Sequence, residues 1–154
     1  MMNLVNRGLA IVLVCLLGCI VGCGDGLKRV NIKGSIICDG KPVDNATVQL
    51  IPRDGTPGEG AIGQSDSSGT FSVISSRDQD VGLPPGNYTV RVSRLVNIDG
   101  KVLPAEATEA EYPDSFESIP SPFCSMASNI ELKVSNQGGD VKLEIPGKLL
   151  TKKK

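Results

Sequence analysis

Histidine is missing from this 154-residue chain, and so is tryptophan. Without imidazole there is no Ser-His-Asp relay, no Cys-His pair and none of the commonest metal ligand, which closes the histidine-dependent routes to catalysis. Aromatics are only 3% of the residues, two tyrosines and three phenylalanines, so the expected core is aliphatic and modest. Charge of either sign is not in excess: 16 Lys and Arg against 17 Asp and Glu leave a formal net charge of -1. The basic residues are dispersed, and no stripe of the kind a phosphate backbone demands is present, so nucleic acid is not an expected partner. Also lacking is an uninterrupted apolar run of about 20 residues, the length that crosses a bilayer as a helix.

The apolar run that is there lies near the start. It extends from Leu9 to Val21, is broken by Gly18, and gives way to Gly22, Cys23 and then Gly24-Asp25-Gly26. Arg7 supplies a single positive charge ahead of a compact apolar stretch, and small residues follow it, which is the anatomy of an export signal rather than of a permanent span. Ile20-Val21-Gly22-Cys23 resembles the lipobox of bacterial lipoproteins. That resemblance implies a diacylglycerol group on the Cys23 thiol, cleavage just before it, and attachment to a membrane on its periplasmic or extracellular side. Two or three acyl chains, at about 0.8 kcal/mol per buried methylene, hold far better than one. Leu16-Leu17-Gly18-Cys19 also fits. A cut at Cys19 would shorten the apolar stretch to about seven residues and carry Ile20-Val21 into the mature protein, so Cys23 is preferred and Cys19 is the alternative.

After such a cut about 130 residues remain, enough for one domain around one core. Residues 1–22 are then a signal peptide with an apolar helix, 23–29 an anchored spacer, 30–148 the folded domain and 149–154 a basic tail. Within the domain the apolar periodicity is two, not 3.6. Val30 to Cys38 alternates, Asp39-Gly40 offers a tight turn, and Ala46 to Pro52 alternates again, so these two runs are expected to pair as a hairpin. A weaker strand is expected over Ala61 to Ser65. Asp66-Ser67-Ser68-Gly69 turns into Thr70 to Ile74, with Phe71 and Val73 inward, and Leu83-Pro84-Pro85-Gly86 makes a corner that launches Asn87 to Ser93, with Tyr88, Val90 and Val92 on one face. Ile130 to Val134 and Val141 to Ile145 complete the set, separated by Gln137-Gly138-Gly139. About seven short strands with frequent turn signals and no convincing amphipathic helix predict an all-β antiparallel Greek-key sandwich.

The exception is a long loop, residues 96–129, which holds four prolines and three of the aromatics, Tyr112, Phe116 and Phe123. Connections of that length in a compact domain are usually functional or disordered. Its aromatics offer an interaction surface at one end of the sandwich, or else they fold back to cover a sheet edge, and packing is the preferred reading. Glu106 to Glu111 is expected to form at most a turn or two of helix. Cys38 and Cys124 are the cysteines of the mature part besides the anchor. An oxidising compartment favours a bridge between them, worth about 4–5 kcal/mol in the chain-entropy model; alternation instead turns Cys38 inward as a small apolar residue. Both readings stand.

Other polar groups read as structural. Tyr88, just past a Pro-Gly corner, is placed to hydrogen-bond nearby backbone as in a tyrosine corner. Asp66 lacks the repeated carboxylates of a calcium loop and is expected to cap a turn. Ser121, Ser125 and Ser128 lie near Lys133 in sequence, yet no Ser-x-x-Lys or Gly-x-Ser-x-Gly element is present.

Three pieces, Ile32-Lys33-Gly34-Ser35-Ile36 with Asp39-Gly40-Lys41-Pro42-Val43 and Ala46-Thr47-Val48, then Ser65 to Phe71, then Pro85-Gly86-Asn87-Tyr88-Thr89-Val90, together resemble the carboxypeptidase regulatory-like domain, a transthyretin-type (prealbumin-like) β-sandwich. The resemblance covers roughly Val30 to Ser93 and implies an accessory module used for attachment, spacing or weak recognition, with no catalytic residues. The enzymes that share the fold depend on histidines, which this chain lacks. The expected function is therefore a non-enzymatic, lipid-anchored cell-envelope module with a structural or protein-interaction role, needing no cofactor and no metal. The alternative is an envelope protein that holds a peptide or glycan at a sheet edge or at the 96–129 loop.

Overall fold

The computed structural model describes residues 26–76 and 81–151. The expected signal peptide, residues 1–22, both candidate lipidation cysteines, Cys19 and Cys23, and the closing lysines lie outside the described residues. The described chain is all-β. Its strands in order are β1 (Ile32–Cys38), β2 (Lys41–Pro42), β3 (Thr47–Arg53), β4 (Ala61–Gln64), β5 (Thr70–Ser75), β6 (Gly86–Ser93), β7 (Leu95–Val96), β8 (Phe116–Glu117), β9 (Ile130–Val134) and β10 (Gly139–Ile145).

Alternation decides what each strand buries. In β1, Ile32, Ile36 and Cys38 point inward, in β3 Val48 and Leu50, in β5 Phe71 and Val73, and in β6 Tyr88, Val90 and Val92, as period-two patterning requires. These side chains belong to one core, joined by Val134 from β9 and by Leu143 and Ile145 from β10. Each large aliphatic buried there contributes about 1.5–3 kcal/mol.

The main sheet runs in the order β10-β1-β5-β4-β3-β6-β9, with β2 attached to β1. It curls into a sandwich at β5, which serves both halves. Thr70–Ser72 pair with β1, whereas Val73–Ser75 pair with β4. Two glycines make room where the strand crosses. A Cβ on Gly34 would stand 2.3 Å from Phe71 Cζ, and one on Gly63 would stand 2.6 Å from the Ser72 carbonyl oxygen, so the Phe71 ring lies on backbone that only glycine leaves bare.

The pairing differs from the sequence expectation in two places. The Asp39-Gly40 turn forms, with φ of 51° and 73°, the left-handed pair that a two-residue hairpin favours. It returns the chain only as far as Lys41 and Pro42. Proline has no N–H to extend the ladder, and Asn45, at φ 49°, diverts the chain to the opposite layer. The run at 47–53 therefore pairs with β4 and β6, and the predicted hairpin between β1 and β3 is not formed. Buried Ser65 stitches the crossing: its hydroxyl donates to the Val43 carbonyl at 2.8 Å and accepts from the Ala46 N–H at 2.9 Å.

The second difference is at the end of the chain. The turn at Ser135–Gly138 does not close a hairpin; it separates β9, on the β6 edge, from β10, which joins β1 in parallel over seven residues. Among the described residues that is the one parallel pair in an otherwise antiparallel sheet. Glu106 to Glu111 forms hydrogen-bonded turns, with Glu111 and Tyr112 N–H both donating to the Thr108 carbonyl, rather than a turn of helix. Pro104 and Pro113 bracket this short stretch and leave no length over which a helix would propagate.

The strand directions define two ends. At one lie the entry at Val30, which bridges Leu83, the Arg53–Gly60 loop, whose Thr56 hydroxyl receives the Asn87 N–H, and the turn before β10. At the other lie the Asp39-Gly40 turn, the start of β3, and the end of β6, which continues into the long connection.

Candidate functional site

The 96–129 connection is held against the second of these ends by a polar cluster that the sequence did not disclose. Glu117 on β8 lies at its centre. One carboxylate oxygen accepts the backbone N–H groups of Arg94, at 2.9 Å, and Ile119, at 2.8 Å, and the other accepts the Ser93 hydroxyl at 2.6 Å. Beside it Arg94 extends its guanidinium to the Asp44 backbone carbonyl at 2.8 Å, to the Asp44 carboxylate at 2.7 Å and to Ser118 Oγ at 3.3 Å. Arg94 is only 10% exposed. Burial alone would push the Asp44 carboxyl up, but the Arg94 hydrogen bond and charge, with the Asn45 amide, more than offset it and hold the carboxyl below its ordinary value. Charge-assisted bonds of this kind are the strong ones.

The same cluster reaches the tail. Ser118 donates its hydroxyl to the Arg94 carbonyl and receives the Leu150 N–H at its own carbonyl, at 2.7 Å. Leu149 packs on the core. Together with Val96, Ile98, Val102 and Phe116, the tail lines a cleft of about 270 Å³. A second, wider groove of about 350 Å³ lies on the outer face of β3, β4 and β6, walled by Ala105–Thr108.

The three loop aromatics do not form one patch. Phe116 lines the tail cleft, Tyr112 is 42% exposed and stands with Pro104 and Glu111 around a separate hollow, and Phe123 packs against the core. The Phe123 and Cys124 carbonyls accept from Val92 N–H and from Arg91 Nε, at 3.0 and 2.8 Å, so this part of the loop covers the stretch of β6 that β9 leaves free, which protects an open edge.

Cys38 and Cys124 are separate thiols, not a bridge. Cys38 is buried at the end of β1 with its sulfur 3.5 Å from the Gly147 carbonyl oxygen, while Cys124 is half-buried and packs against the core. Burial pushes both thiols up from their ordinary value, helped by the Asp39 charge at Cys38 and the Glu117 charge at Cys124, which works against thiolate chemistry.

Tyr88, Asp66, Ser125 and Ser128 are committed to structure. The Tyr88 hydroxyl, on a residue 1% exposed, donates to the Pro84 carbonyl at 2.6 Å, and burial pushes it up to about 12. Asp66 Oδ1 accepts from Ser68 N–H, Ser68 Oγ and Thr70 N–H at 2.8, 2.6 and 3.0 Å, a closed turn that holds its carboxyl below the ordinary value through the Ser68 hydroxyl first and the two N–H groups after it. Ser125 bonds the Pro122 carbonyl and Ser128 the Val90 carbonyl, and exposed Lys133 stands on β9 opposite Asn87. Among the described residues no three Cys, Asp or Glu side chains gather as metal ligands, and no helix is long and apolar enough to cross a membrane.

No protein-family profile matches the chain. Two curated proteins of Caenorhabditis elegans are similar to it. Transthyretin-like protein 2 is 34% identical over 66 residues, 38% of this chain and 45% of that protein. Transthyretin-like protein 16 is 32% identical over 76 residues, 47% of this chain and 58% of that protein. The chain thus spans about half the length of the curated relatives it matches. Their likeness and the curled sheet agree on a transthyretin-like β-sandwich.

Proposed function

We propose that the chain is a non-enzymatic interaction module of a bacterial cell envelope, of the carboxypeptidase regulatory-like kind, held to a membrane by lipid on Cys23, with Cys19 the alternative. The observation that carries this reading is the commitment of its buried polar groups. Ser65, Tyr88, Arg94, Ser118 and Ser128 all spend their side chains on backbone carbonyls, while Ser115 Oγ is buried without a partner, a balance that supports a scaffold over a reaction centre. A tether at Cys23 suits the topology. From Cys23 to Val30 the chain reaches at most about 25 Å, and Val30 enters at the end opposite the long connection and both lining elements of the tail cleft. The sandwich would then lift that end away from the bilayer.

A second reading, an envelope protein that holds a peptide or glycan, draws on the outer groove beneath Ala105–Thr108. The first reading is tested by metabolic labelling with a fatty-acid probe in wild type and Cys23→Ser. Loss of label is expected in the variant. Unchanged labelling removes Cys23 as the anchor and moves the test to Cys19→Ser, and steady hydrolase or oxidoreductase turnover by the purified chain overturns the non-enzymatic part.

A further inference from the structure

The outer groove has a floor that the strand register specifies residue by residue. Gln49 on β3 stands between Ile62 on β4 and Arg91 on β6, and Thr47 stands between Gln64 and Ser93. All six face outward, so they form two rows of three side chains, with neighbours about 4.8 Å apart across the strands and about 6.8 Å apart along them. Ala105–Thr108 makes the wall, latched to the floor by the Thr47 hydroxyl, which donates to the Ala105 carbonyl. Arg91, which also lines the groove, is fixed through its Nε to the Cys124 carbonyl at 2.8 Å, and that bond engages one of its three guanidinium nitrogens. Among the described residues, neither the Gln49 nor the Gln64 amide is hydrogen-bonded within the chain.

We infer that this groove binds a short oligosaccharide bearing a carboxylate. Each amide offers a donor and an acceptor together, as a sugar hydroxyl requires, Ile62 supplies an apolar tile for the C–H face of a ring, and the anchored guanidinium takes the acid as a forked pair. Glu106 on the wall accepts hydrogen bonds from sugar hydroxyls and, by like-charge repulsion, orients the ligand's acid toward Arg91. An extended peptide adding as a strand is not accommodated, because β3 and β4 are interior here and the stretch of β6 beyond the reach of β9 is covered by the loop, whose Phe123 carbonyl takes the Val92 N–H. A nucleic-acid strand would need aromatic platforms and several cations; the floor holds one cation and no ring.

This inference rests on the ligand-holding reading and is independent of lipid on Cys23. The test titrates the full chain, in detergent micelles, with tetragalacturonate, with neutral cellotetraose and with a tetra-aspartate peptide, following backbone amide shifts and affinity. Tetragalacturonate is expected to shift Thr47, Gln49, Gln64 and Ser93 selectively, with Arg91→Gln weakening it at least tenfold and Gln64→Ala, at an exposed position, several-fold. Equal binding of cellotetraose in the same groove overturns the acid requirement and leaves the ligand-holding reading in place. Tighter binding of the peptide there overturns the saccharide class, and no shift with any of the three removes both the inference and the ligand-holding reading.

Discussion

Replacing Tyr88 with phenylalanine removes one oxygen atom and isolates a single interaction. The hydroxyl donates to the Pro84 carbonyl at 2.6 Å, with Tyr88 1% exposed and Pro84 buried beside it. Phenylalanine keeps the ring packing but strands that carbonyl, so the expected cost at neutral pH is about 1–3 kcal/mol. With a urea slope of about 1–3 kcal/mol/M this lowers the midpoint by about 1 M at unchanged slope. The chain has no tryptophan, so unfolding is followed by far-ultraviolet circular dichroism. The pH dependence adds a second, sharper readout. Burial raises the folded phenol from 10.0 to about 12, so the unfolded chain loses its proton first. Above about pH 10 the folded state holds more protons than the unfolded one, and stability falls with rising pH until both are ionised near 12. The difference amounts to about 2–3 kcal/mol. Wild type carries this alkaline loss and Tyr88→Phe does not, so the gap between them closes as pH rises from 10 to 12, even while lysines titrate in both. A gap that stays constant across that range, or a variant as stable as wild type at pH 8, refutes the reasoning.

Gly34→Ala sets a methyl 2.3 Å from Phe71 Cζ and is expected to cost about 1–3 kcal/mol by overpacking; Phe71→Leu in the same chain should recover part of it, and purely additive losses in a double-mutant cycle would contradict the contact. Arg94→Met keeps the stem's packing but removes its bonds to Asp44 and Ser118, so proteolysis within 97–115 should accelerate while the cleavage of other loops is unchanged. Asp44, whose carboxyl is held low by Arg94, contributes stability that is complete above about pH 4 and is lost as pH falls through its folded value; in Arg94→Met that acid dependence should shrink.

Much of the fold was legible because it is local. The alternation of Ile130 to Val134 and Val141 to Ile145 marks strands without reference to anything else, the Pro-Pro-Gly corner before Tyr88 announces the hydroxyl's partner four residues back, and Asp66 closes its own turn. What failed was pairing. Asp39-Gly40 turns as its dihedrals demand, yet Pro42 stops the ladder after two residues, and the partner of β1 comes from the far end of the chain. Glu117 escaped notice because an acid between Phe116 and Ser118 reads as solvated until Arg94 and Ile119 are brought to it. The six groove residues are outward polar or apolar positions on three strands; each is visible singly, and only the register of β3 with β4 and β6 makes them one surface.

The parallel pairing of β1 with β10 also governs how the domain bears tension. The chain enters at the Ile32 end of β1 and leaves at the Ile145 end of β10, and these are opposite ends of two strands bonded to each other along seven residue pairs. A pull between a holdfast on the entering side and a partner gripping the exit therefore slides one strand along the other. All the bonds of that ladder share the load at once instead of opening one after another, and the sandwich behaves as a stiff link rather than a zip.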